Sequence, residues 1–117
     1  MQMRLIFPAA LALFPTLALS EGGAVTDLVT RYSAIKICGI YDWVSTDPTS
    51  EAMLDALDLK IRAQKALLDP DIFSSALRES QEIMNERTDT GQNGAVFAAE
   101  NCEAILDEEA TAFRAER

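Results

Sequence analysis

Apolar residues recur along this chain with a helical period. Leu28, Tyr32, Ile35 and Cys38 fall at i, i+4, i+7 and i+10 and share one helix face. Past Ile35 the pattern changes. At about 100° per residue, Ile37, Ile40 and Val44 point away from the side held by Leu28 and Tyr32. The second half of this segment is therefore apolar nearly all round. The pattern predicts a first helix over 27–44, capped by Thr26 or Asp27. Gly39 lies inside it, where it would either end the helix early or admit another backbone. The stretch Ile35–Val44 holds the single tryptophan, Trp43, together with Tyr41 and one of two cysteines.

Asp47-Pro48 is a helix-start pair, an N-cap followed by proline at the first helical position. It predicts a second helix over 48–68, striped by Met53, Leu54, Leu57, Ile61 and Leu68, with Asp58 and Arg62 as an i,i+4 pair on its other side. Asp69-Pro70 repeats the device for a third helix over 70–88. Its inward face is Ile72, Phe73, Ala76, Leu77, Ile83 and Met84; Glu79, Glu82 and Glu86 face outward. Asp89-Thr90-Gly91-Gln92-Asn93-Gly94 has the composition of a loop. A fourth helix follows over 95–115, with Ala98 or Ala99, Cys102, Ile105, Leu106 and Phe113 inward and Glu103, Asp107 and Glu108 outward. No apolar run alternates with period two. The fold expected is all-α, a small antiparallel four-helix bundle with short connections.

The cysteines bear on that expectation. Cys38 lies about six residues before the end of the first predicted helix and Cys102 about seven after the start of the fourth. In antiparallel neighbours those positions differ in height by on the order of 1.5 Å, which disulfide geometry tolerates. A Cys38–Cys102 bridge is therefore expected.

The first twenty residues read differently from the rest. A short positive start ending in Arg4 leads into an apolar run, Leu5–Leu19, broken by Pro8 and Pro15. Ala18 and Ser20 supply the small residues of a cleavage site. This predicts a secretory signal peptide over 1–20, cleaved after Ser20 or near Ala24, and one helical domain over 21–117. A run of about 15 residues containing two prolines is short for a membrane span, which takes roughly 20. No stable membrane anchor is expected after cleavage, and the expected location is periplasmic or secreted. Two cysteines fit that oxidising setting.

Composition narrows the partners. The full chain has a net charge of −9; removing residues 1–20 removes only Arg4 among the charged residues, leaving 97 residues at −10. Such a balance opposes nucleic acid and anionic membranes and suits a cationic partner. The chain has no histidine. That removes histidine-based nucleophilic triads, histidine-ligated metals and the usual acid–base residue near neutral pH. No CxxC pair and no phosphate-binding glycine loop is present, so no enzymatic role and no cofactor are expected.

Two constellations stand out as candidate sites. Ile37, Ile40 and Val44, with Trp43, form an apolar patch that either closes the end of the core or meets a partner, which would be another protein or a second copy. The stretch 89–100 matches an EF-hand calcium loop in part, with Asp89, Asn93 and Glu100 at positions 1, 5 and 12. Gly91 at position 3 and Phe97 at position 9 offer no side-chain oxygen, so the alternative of a weak divalent-cation site rests on those three residues and the Ala95 carbonyl. The leading expectation is an exported, disulfide-linked interaction module. A second alternative is an acid-stress chaperone-like role, because 19 carboxylates lose charge between about pH 5 and pH 3. The chain is similar to small periplasmic acid-stress chaperones in size and layout and shares no motif with them.

Overall fold

A computed structural model describes residues 16–88 and 93–117, with side chains from 21 and from 94 onward in each segment. The predicted leader lies outside the described residues up to position 15, as do positions 89–92 of the loop. Four helices make up the fold: α1 Thr16–Ile40, α2 Ser50–Leu67, α3 Pro70–Thr88 and α4 Asn93–Ala115. Among the described residues there is no strand, only an isolated bridge between Thr46 and Thr49.

Both ends of α1 differ from the expected 27–44. The helix is already formed at Thr16 and passes without a break through Ser20 and Glu21. Thr26 caps nothing. It is buried inside the helix, where its hydroxyl lies 3.2 Å from the Gly22 carbonyl oxygen and 3.2 Å from Glu79 Oε1 on α3. Asp27 pairs instead with Arg31, one turn on. At the far end α1 stops at Ile40, four residues early. The Trp43 amide donates to the Cys38 carbonyl at 2.9 Å and the Asp42 amide to the Gly39 carbonyl at 3.1 Å. With Asp42 at φ 69°, this is a Schellman cap whose left-handed residue is an aspartate. Gly39 neither ends the helix nor receives another chain segment, since nothing lies within 4 Å of where its Cβ would be.

Asp42 thus sits where glycine is preferred, and its charge lies at the negative end of a helix dipole. Asp42→Gly is expected to raise stability by about 0.5–1 kcal/mol, read from the urea midpoint. A fall in the midpoint would show that the Asp42 carboxylate itself holds the turn.

The two Asp-Pro pairs resolve in different ways. At α3 the expectation holds: Asp69 Oδ1 accepts from the Asp71 amide at 3.0 Å and helix bonding begins with Phe73 N–H to Asp69 O. At α2 the cap is Thr49, whose hydroxyl oxygen accepts from the Ala52 amide at 3.1 Å. Asp47 and Pro48, joined by a cis peptide, belong to a tight turn before it. Ser45 organises this turn: its amide donates to Ser50 Oγ, its hydroxyl to the Pro48 carbonyl, and its carbonyl accepts from the Ser50 amide. Hydroxyl side chains on both sides of Pro48 compete for the backbone groups that a cap would use; Asp69-Pro70 has no such neighbours.

α1 is the centre of the packing and touches all three other helices, α3 most extensively, whereas the consecutive helices α2 and α3 barely meet. Two core clusters lie on either side of it. Leu28, Ile35 and Cys38 of α1 pack with Met53 and Leu57 of α2 and with Ala98, Cys102, Leu106 and Ala110 of α4. Ala34 packs with Met84 of α3 and Phe97 of α4, with Ile37 and Ile105 at the edge. α1 and α4 run antiparallel, as the paired contacts Cys38–Cys102 and Arg31–Glu109 require.

Between α1 and α3, which run parallel, the contact is polar and buried. The Thr30 hydroxyl lies 2.6 Å from the Thr26 carbonyl and 2.9 Å from Ser80 Oγ. With the Thr30 proton given to that carbonyl, Ser80 is the donor. Small side chains at Thr26, Thr30, Ala76 and Ser80 let these helices lie close, and the hydrogen bonds satisfy groups that burial would otherwise leave unpaired.

Candidate interaction face

The predicted disulfide is present, with Cys38 and Cys102 at a Cα–Cα distance of 5.7 Å and both side chains fully buried. It fixes the last turn of α1 against α4. Because the Trp43 amide bonds to the Cys38 carbonyl, the same bridge anchors the segment that leaves the helix.

The predicted apolar patch divides at that point. Ile37 is half-buried beside the Ala34–Met84–Phe97 cluster. Ile40 and Val44 are 71% and 61% exposed, and Tyr41 and Trp43 retain 38% and 37% exposure. The early end of α1 is the cause: a helix continued to residue 44 would have turned these side chains along its own surface, whereas the cap swings them out as a lip. Tyr41 is the best supported of them. Its ring lies against Gly94, where an added Cβ would come within 2.8 Å of Tyr41 Cε2.

An open groove of about 790 Å³ runs beneath the lip. Trp43, Val44 and the turn through Asp47 form one wall; Glu100, Glu103 and Asp107 of α4 stand on the other. Leu106 and Ala110, both buried, lie at its base. Arg114 closes one end by donating from Nη2 to the Asp47 carbonyl at 2.9 Å.

The acidic residues of α4 fall into different situations. Glu109 is nearly buried and accepts two hydrogen bonds of 2.9 Å from Arg31, at Nε and Nη2. That hydrogen bond holds the Arg31 guanidinium above its ordinary pKa, against the burial that would lower it. Glu116 is held by Lys60 on α2, whose hydrogen bond lowers its pKa. Glu100, Glu103 and Asp107 have exposed side chains and no ion-pair partner among the described residues.

Of the three calcium-loop residues, Asp89 lies outside the described residues, Asn93 is the first residue of α4, and Glu100 is two turns along the same helix. Seven helical residues separate Asn93 from Glu100, a rise of about 10 Å along the axis. Among the described residues, no group of three or more His, Cys, Asp or Glu side chains is gathered so as to hold a metal. No helix among the described residues is long and apolar enough to cross a membrane.

Sequence reasoning missed four participants: Asp42 in its left-handed conformation, Tyr41 against Gly94, Arg114 on the 43–47 segment, and Phe97 in the core. Asp42 left a trace, because aspartate is among the few residues that tolerate the left-handed region. No protein-family model matches the chain, and no significant match was found among curated proteins or among solved structures.

Proposed function

We propose that this chain is an exported interaction module that works through the lip Ile40–Val44 and binds another protein there. The observation that carries this reading is the lip itself. Four large apolar side chains within five consecutive residues stay exposed, on backbone fixed by a helix cap and a neighbouring disulfide. Singly exposed apolar residues are ordinary on protein surfaces, but a contiguous set on a rigid support is the form that binding anchors take. The export part is supported by the leader-like residues 1–20 and by the disulfide, which an oxidising compartment preserves.

A photo-crosslinking amino acid placed at Val44, and in a control variant at Leu67, tests this in the exporting cell. Leu67 is 78% exposed at the end of α2 and stands apart from the lip. The expected result is a discrete adduct from position 44, none from position 67, and a chain recovered outside the cytoplasm that begins at Glu21. Equal labelling from the two positions, or a chain retained in the cytoplasm, would overturn the proposal.

A further inference from the structure

The groove beneath the lip points to the chemistry of the partner. We infer that it takes an amphipathic segment of a partner protein that carries two or three lysine or arginine side chains over about 10 Å, with an apolar residue beside them. This rests on the lip being an interaction surface and adds what meets it.

The acidic wall supplies the first part. Glu100, Glu103 and Asp107 stand at i, i+3 and i+7 of α4, one helix face, and line one side of the groove. Their span along the axis is about 10 Å. Elsewhere on the described surface several carboxylates are answered: Glu109 by Arg31, Glu116 by Lys60, Asp58 by Arg62. The three groove carboxylates have no ion-pair partner among the described residues, as is also true of Glu82, Glu86 and Glu108; what sets them apart is that they line one groove beside exposed apolar side chains. The one cation on the groove, Arg114, is turned to the Asp47 carbonyl. Trp43 and Val44, which line the same groove ahead of Ser45, Thr46 and Asp47, supply the second part. A basic segment with Leu, Ile or Phe at its edge would answer the carboxylates and the Trp43–Val44 pair at once.

Charge also excludes the other occupants. A second copy would bring to this groove a chain of the same strong negative charge, −9. Nucleic acid and anionic lipid meet the same repulsion.

The test uses the disulfide-bonded chain and a synthetic helical peptide with lysines at i, i+4 and i+7 and leucines on the adjoining face. Trp43 is the only tryptophan, so its fluorescence reports the groove directly; calorimetry gives the affinity. Saturable binding that shifts Trp43 emission is expected, weakening as salt is raised from low to physiological strength. The double variant Glu103→Lys with Asp107→Lys should bind about tenfold more weakly. The control Glu82→Lys with Glu86→Lys, on the outward face of α3, has the same net charge and should bind as the parent does. Equal loss in both variants means general electrostatics and overturns the inference. So do unchanged binding in the groove variant, a preference for a peptide with glutamates in place of lysines, Trp43-reported binding to anionic phospholipid vesicles, or a dimer by sedimentation without peptide. If the Val44 crosslink survives the groove charge reversal, the interaction surface stands and the basic partner alone fails.

Discussion

Replacing both cysteines, as Cys38→Ala with Cys102→Ala, is expected to lower stability by about 4 kcal/mol. The bridge spans 64 residues, and tying such a loop removes that much conformational freedom from the unfolded chain in the chain-entropy account. The side chains are fully buried at the junction of α1 and α4, so loss of their packing adds to the effect. A domain of this size has about 5–15 kcal/mol in total. The melting temperature should fall by roughly 15–30 °C, with a similar fall for the parent under reducing conditions. A loss below about 1 kcal/mol would mean that the unfolded chain already keeps α1 near α4.

The second large effect separates two isoleucines five residues apart. Ile35 is 1% exposed and sits where α1, α2 and α4 converge. Ile35→Ala should cost about 3 kcal/mol, combining lost burial with a cavity between helices that the disulfide keeps from closing. Ile40 is 71% exposed, and Ile40→Ala should change stability by less than about 0.5 kcal/mol. Ile40→Asp should likewise leave the fold intact while abolishing association through the lip. Urea denaturation of the variants decides the matter. If Ile40→Ala costs as much as Ile35→Ala, the end of the bundle is closed core and the proposed interaction surface fails.

The helices were legible because burial and period largely agree in them, although Leu77, expected on the inward face of α3, is exposed. Met53, Leu57, Met84, Cys102 and Leu106 all lie inward as their spacing requires. The disulfide was legible as a pairing of two cysteines on antiparallel neighbours, but not by the expected heights: with α1 ending at Ile40 and α4 starting at Asn93, Cys38 lies two residues before the one end and Cys102 nine after the other start. The boundaries were less so, and each miss has a local cause. Thr26 has the chemistry of a cap, but in a helix its hydroxyl can also return to the carbonyl four residues back, and burial against α3 selects that option. Asp47-Pro48 and Asp69-Pro70 are identical as dipeptides; the serines and threonines around the first decide its different outcome. The buried Ser80 has no apolar signature and becomes interior only because Thr30 faces it. Of the site, the apolar residues were visible in the sequence. Their exposure was not, since it depends on Asp42 adopting a conformation that periodicity does not encode.

Because α2 and α3 barely meet, the bundle is less a square of four equals than a spine with two arms. α1 and α4 are the spine, and they alone contribute to both core clusters. The disulfide joins those two, so a single crosslink braces both halves of the interior. Each arm is held by its own side of the spine, α2 through an apolar seam and α3 through a ladder of hydroxyls as well. The lip is set on the spine beside the crosslink, and its far side is tied to the start of α2 through Ser45 and Ser50.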